Sequence, residues 1–126
     1  MSRPDSDRLD EMFEQQRAFM ELLREKRGFP DFPVDITTKS GQKLCKDIAH
    51  DAMDELHEAL QHLKNSKAHR ATEVRDFDRE KYLEELADHY HFFLELCIVS
   101  GVSAAELHRA FIAKGNVNVT RIAQGY

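Results

Sequence analysis

Apolar residues recur at intervals of three and four over most of the chain, which is the spacing of one helix face. From about Asp7 to Lys26 this pattern predicts a first helix, which Gly28 is well placed to end. The segment Phe29–Pro33 contains two prolines, so it predicts a connection and not a continued helix. Few residues alternate with the period of two that is typical of a strand, so the pattern favours an all-α fold.

Two longer helices are predicted in the middle of the chain. The first of them runs from about Ser40 to Lys64 and is apolar over more than half of its circumference, which is typical of burial on more than one side. The other runs from about Arg79 to Val99. A basic segment that extends to about Asp78 joins them, and loops of more than a dozen residues are often functional.

A fourth helix is predicted near the carboxyl end. Ser103 and Glu106 have the spacing of a capping box, and the helix that they begin is expected to reach Lys114 before Gly115. The tail from Asn116 is too short and mixed to assign. We therefore expect one domain over residues 1–126, with four helices in a four-helix bundle-like, all-α architecture.

Net charge, the length of apolar runs and the cysteines indicate which kinds of partner the chain is expected to have. The chain has 126 residues and a formal net charge of −5, which argues against a non-specific nucleic-acid binder. No apolar run approaches the length of a membrane span and no signal-peptide pattern opens the chain, so no membrane partner is expected. Cys45 and Cys97 fall on the apolar sides of predicted helices, and we expect reduced core thiols and a cytoplasmic protein.

Two pairs of acids with a spacing of three residues stand out in the middle helices. Glu55 and Glu58 form one pair, and Glu85 and Asp88 form the other. Residues three apart share a helix face, so antiparallel packing would bring the four carboxylates to one point. Like charges repel strongly there, and a hard divalent cation is the expected neutralising partner: Mg²⁺, with Mn²⁺ as a substitute.

A plain solvated helix face is the alternative explanation for these acids. Because 23 of the 126 residues are acids, such pairs also arise by chance. Glu85 and Asp88 point nearly away from the apolar stripe of their helix, so a real site would need a cover from the first helix, the prolyl connection or a second subunit. His89 and His91 fall on opposing sides of the helix, which favours packing or solvent exposure over a role beside a metal ligand.

The order Glu55-x-x-Glu58, a gap, and Glu85-x-x-Asp88 resembles the metal-binding signature of the all-α nucleoside triphosphate pyrophosphohydrolases. That superfamily includes the MazG proteins and the dimeric dUTPases. Three further segments resemble the dUTPase branch: residues 9–16, residues 88–92, and the C-terminal motif Lys114-x-x-x-Asn118-x-x-Arg121-x-x-x-Gly125-Tyr126. The chain departs from these families at Asp54 and Ile122 and has no tryptophan.

The resemblance implies hydrolysis of a deoxynucleoside triphosphate, dUTP being favoured, to the monophosphate and pyrophosphate. The four acids would be metal ligands, with Glu55 also taking a proton from the attacking water. Gln16 would contact the base. The phosphates and the sugar would be contacted by four residues: Lys114, Asn118, Arg121 and Tyr126.

The bundle is thin for enclosing a nucleotide alone, so we expect a homodimer or a dimer of dimers. Two other functions stay open: a MazG-type purine or broad-specificity pyrophosphohydrolase, and a non-catalytic helical interaction module.

Overall fold

The computed structural model describes residues 7–74 and 76–125, which fold into four helices and contain no strand. The all-α prediction is therefore confirmed. The helices are α1 (Arg8–Arg27), α2 (Lys39–Leu60), α3 (Arg79–Val99) and α4 (Ala104–Ala123). The bounds of α3 match the prediction, and α1 agrees with it to within one residue at each end.

The chain divides into two compact units. Unit 1 holds α1, the connection up to Pro33, the end of α3 from Cys97, and α4, whereas unit 2 is Val34–Leu96. Unit 1 buries Phe13, Gln16, Met20, Cys97, Ile98 and Val99. Unit 2 buries Gly41, Ile48, Ala52, Ala59, Leu94 and Glu95. The single domain over residues 1–126 stays a prediction.

Local side chains determine where three of the helices begin. Asp7, Thr38 and Ser103 each accept a hydrogen bond from a backbone N–H in the first turn of α1, α2 and α4. Glu106 completes the predicted capping box at Ser103. Each such cap contributes about 1 kcal/mol, because it satisfies a backbone donor that has no partner within the helix. Gly28, at φ +71°, ends α1 in the left-handed conformation that glycine favours.

The predicted end of α2 at Lys64 is wrong, because the helix ends at Leu60. The N–H of Gln61 bonds to several carbonyls of the last turn, including those of His57 and Glu58. Such shared bonds tighten a final turn and lead the chain out of the helix. Leu63, which extended the apolar pattern, is exposed and therefore gains little from staying helical.

The predicted end of α4 at Lys114 is also wrong, because the helix continues to Ala123. Gly115 lies in the helix interior, where a glycine costs only about 1 kcal/mol relative to alanine. The left-handed conformation is adopted instead by Gly125, at φ +78°, beyond the helix end. Most of the unassigned tail from Asn116 is thus helical.

His89 connects the two helices of unit 2. Its Nδ1 lies 2.6 Å from the carbonyl oxygen of Ala52, so α3 bonds directly to the backbone of α2. A carbonyl oxygen only accepts, and Nδ1 must therefore carry the proton. Ala52 is buried and the His89 ring is half-buried. This contact gives His89 the packing role that its position on the helix favours.

Both thiols are free, Cys97 being buried and Cys45 half-buried, in agreement with the prediction. Within residues 7–74 and 76–125, no single helix has the length and apolarity needed to cross a membrane. Only α3 and α4 taken together, as a broken pair, meet those two criteria.

Glu95 is an acid inside unit 2, and its side chain is 6% exposed. Burial, together with the nearby charge of Asp51, raises its pKa from the ordinary 4.5 to about 7, and burial is the larger cause. The folded protein thus binds this proton more tightly than the unfolded chain does. The stabilisation is complete below about pH 4.5 and is lost as the pH rises through 7.

We expect the free energy of unfolding to fall by up to roughly 3 kcal/mol across that pH range, because 1 pKa unit corresponds to about 1.4 kcal/mol. Glu95→Gln, which cannot ionise, should remove most of this slope. Glu84→Gln, at an exposed position of the same helix, should retain it. Urea denaturation at several pH values measures the slope, and equal slopes for wild type and Glu95→Gln would contradict the assignment.

Candidate metal centre

Three of the four predicted acids come together within unit 2. Glu55 and Glu58 project from α2 and Glu85 projects from α3, and one carboxylate oxygen from each lies within 4.8 Å of the other two. The side chains of Glu55 and Glu85 are half-buried, whereas that of Glu58 is exposed. The three-residue spacing on α2 explains the first two positions, since it places both acids on one helix face.

Asp88 is not among the three acids whose oxygens converge, and its side chain is exposed. It lies one helical turn beyond Glu85 on α3. Its negative charge nevertheless raises the pKa of both Glu55 and Glu85. Asp88 therefore borders the cluster and contributes to its negative potential.

Burial and the neighbouring acids raise the pKa of two carboxyl groups of the cluster, those of Glu55 and Glu85. Burial is the largest cause of the raised pKa of Glu55, followed by the charges of Glu58, Asp88 and Glu85 and a hydrogen bond with Glu58. Burial is also the first cause at Glu85, followed by a hydrogen bond with Glu58 and the charges of Glu58 and Asp88. A pKa raised in this way marks a place where added positive charge is stabilising.

His62 is a neighbour of the cluster that the sequence interpretation missed. Its charge lowers the pKa of Glu85, in opposition to the acids around it. His62 follows Glu58 by four residues, which is the spacing of neighbours on a helix face. That spacing was the available signal, although α2 ends at Leu60 and His62 lies just beyond it.

The donor set fits a hard divalent cation. All three convergent ligand atoms are carboxylate oxygens, which Mg²⁺ and Ca²⁺ prefer over nitrogen or sulfur. Within the described ranges, no lysine or arginine forms a salt bridge with any of these acids. Half-buried like charges without a lysine or arginine partner are costly, and a bound cation would remove that cost.

The other predicted contact residues lie in unit 1. Lys114, Asn118 and Arg121 are exposed on α4 at intervals of four and three residues, and so share one helix face. Tyr126 lies outside the described residues. Gln16 is 2% exposed and already has a polar interaction, whereas the neighbouring Gln15 is exposed.

Comparisons of the chain with known proteins find no match. No family model matches it, and neither the curated proteins nor the solved structures contain a match. The resemblance to the pyrophosphohydrolases therefore depends on the motifs alone.

We expect Mg²⁺ or Mn²⁺ to raise the melting temperature, because a ligand that binds only the folded state stabilises it. The gain is about 2.7 kcal/mol at a ligand concentration 100 times Kd, or roughly 10 °C for a chain of this size. Differential scanning fluorimetry with and without EDTA measures the shift. An unchanged melting temperature for the wild type would contradict the site.

The control variants separate the metal from a general salt effect. Glu58→Gln should lose most of the shift, yet be no less stable than the wild type in EDTA, because it also removes repulsion within the cluster. Glu84→Gln changes an exposed glutamate next to Glu85 and should keep the full shift.

Proposed function

We propose that this chain is a cytoplasmic, Mg²⁺-dependent deoxynucleoside triphosphate pyrophosphohydrolase of the all-α type, with dUTP as the favoured substrate. The convergence of Glu55, Glu58 and Glu85 carboxylates from two helices is the observation that carries the proposal. The order and spacing of these acids with Asp88 resemble the family signature, and the C-terminal motif adds to the resemblance.

Residues of this chain can be assigned to individual steps of the proposed hydrolysis. When bound, the cation would neutralise phosphate oxygens and make a nearby water more acidic. Glu55 would take the proton from the attacking water. Lys114 and Arg121 carry charges that suit phosphate oxygens, with the arginine offering two parallel donors.

Gln16 is the residue that would contact the base of the nucleotide. Gln16, assigned to the base by resemblance, is almost fully buried. An amide can both donate and accept, so it does not by itself select uracil. A broad-specificity or purine pyrophosphohydrolase of the MazG type is therefore the second candidate.

The test is pyrophosphate release from a panel of dNTPs and NTPs, each with Mg²⁺, with Mn²⁺ and with EDTA. We expect metal-dependent release, highest with dUTP. Glu55→Gln and Asp88→Asn should each lower kcat by at least about 100-fold, in line with the loss of a catalytic base or of charge stabilisation at a reacting centre.

The matched control variants remove the same charge at a position outside the cluster. Asp54→Asn and Glu84→Gln remove one exposed acid beside the cluster on α2 and α3, and each should stay close to wild-type activity. Release from a purine nucleotide above dUTP would favour the second candidate. No release from any nucleotide would favour a non-catalytic interaction module.

The proposal includes a homodimer or a dimer of dimers. Phe111, Val119 and Ile122 of α4 are 74%, 70% and 74% exposed, and Phe19 and Leu22 of α1 are also exposed. Both helices belong to unit 1. Large apolar side chains grouped on one helix typically mark a surface that packs against another chain. A second copy offers the same apolar surface in return, as a two-fold interface requires.

We expect light scattering to give a molar mass of at least twice that of the chain. The double variant Phe111→Ser with Ile122→Ser should give the mass of the monomer. Phe77→Ser with Val74→Ser, at exposed apolar positions outside α4, should leave the mass unchanged. A monomeric wild type at micromolar concentration would contradict the dimer.

A further inference from the structure

The loop that follows α2 carries positive charge in an otherwise acidic chain. Lys64, Lys67 and Arg70 lie within seven residues of one another and are all exposed. None of the three forms a salt bridge with an acid in the described part of the chain. An unneutralised basic loop in a chain of net charge −5 creates a local positive potential that attracts anions.

A small polar cavity lies inside this loop. Its volume is about 140 Å³, and it is lined by Asn65, Ser66, Lys67, Arg70 and Thr72. These side chains offer an amide, two hydroxyls, an ammonium and a guanidinium, and none of them is an acid. Donors of these kinds are the ones that recur around bound phosphate groups.

An adjoining cavity of about 530 Å³ differs in its charge. It shares Asn65 and Thr72 with the smaller cavity, but two acids, Glu73 and Asp76, line it against one basic residue, Lys64. These two acids would repel an anion. The charge pattern therefore favours the smaller cavity as the place where an anion is held.

The backbone of the loop has internal hydrogen bonds. The backbone N–H of Arg70 donates to the carbonyl of Lys67 at 3.1 Å, which forms a turn at the cavity. Asn65 has φ +62°, a left-handed conformation that asparagine adopts more readily than most residues. Its side-chain amide donates to the carbonyl of Glu73 at 3.4 Å and so closes the loop.

The chain places this cavity near the acidic cluster of unit 2. His62 interacts with Glu85 of the cluster, and Asn65 of the cavity follows His62 by three residues. Three residues span at most roughly 11 Å. The loop cavity therefore begins within about 11 Å of chain from a residue that interacts with the acidic cluster.

We propose that this loop cavity is an anion subsite for phosphate groups, with Lys67 and Arg70 as its charged donors. In the enzyme it would hold the terminal phosphates, those that leave as pyrophosphate. The identity of this anion rests on the proposed function, whereas the subsite itself does not. Lys67 and Arg70 would bind substrate and contribute to its orientation, with no covalent step of their own.

The first measurement is calorimetric titration of the full chain with inorganic pyrophosphate in EDTA, so that no cation bridges the anion to the acids. We expect Lys67→Gln with Arg70→Gln to weaken binding at least about tenfold, because two charge-assisted hydrogen bonds are lost. Lys39→Gln with Lys46→Gln removes two exposed charges from α2 of the same unit, and should change Kd by less than about twofold.

Equal weakening in the two double variants would overturn the subsite, since it would reflect only the net charge. Absence of pyrophosphate binding to the wild type in EDTA would overturn it as well. Circular dichroism of both double variants should match the wild type, because all four positions are exposed.

The second measurement separates this proposal from the proposed function. With Mg²⁺ and the preferred nucleotide, the loop variant should raise KM about tenfold and leave kcat within a few-fold, since it removes binding that substrate and transition state share. A wild type that binds pyrophosphate through the loop but hydrolyses no nucleotide would support the subsite and refute the enzyme. Unchanged KM in an active loop variant would refute the pyrophosphate assignment.

Discussion

Repulsion among the carboxylates of α2 and α3 is the constraint on which the rest of unit 2 depends. Three acids converge within 4.8 Å, and neighbouring charges raise the pKa of Glu55 and Glu85. The helices nevertheless stay paired, because buried residues and the bond from His89 to the Ala52 carbonyl hold them. Packing thus keeps these acids close together in spite of the repulsion between their charges.

Charge is distributed unevenly along unit 2. Acids follow the facing sides of α2 and α3, and the basic loop begins a few residues after α2 ends. A polyanion would be repelled by the acids alone, so the function proposed here would need both a cation at the acids and a positive subsite in the loop. Glu95 shows another response to burial, since its pKa is raised to about 7 and the carboxyl keeps its proton to about that pH.

The motifs resemble a known superfamily although comparisons of the whole chain find no match. These observations are compatible in physical terms. The resemblance involves only a few residues at fixed spacings, whereas the remaining helical positions require only apolar residues on the correct face. A sequence can therefore diverge widely around a short motif, and function has to be argued from the site itself.

Local chemistry explains which parts of the fold could be predicted from the amino-acid sequence. Caps, prolines and Gly28 act within a few residues, so α1, α3 and the capping box of α4 were predictable, as was the pairing of Glu55 with Glu58 on one face.

The ends of α2 and α4 were not predictable in this way, because a helix stops where further burial no longer offsets the cost of ordering the chain. The approach of Glu85 to the α2 acids, the contact with His62 and the burial of Glu95 likewise depended on the tertiary structure. Packing determines the distances between charges on different helices, and the spacing of residues along a single helix does not predict those distances.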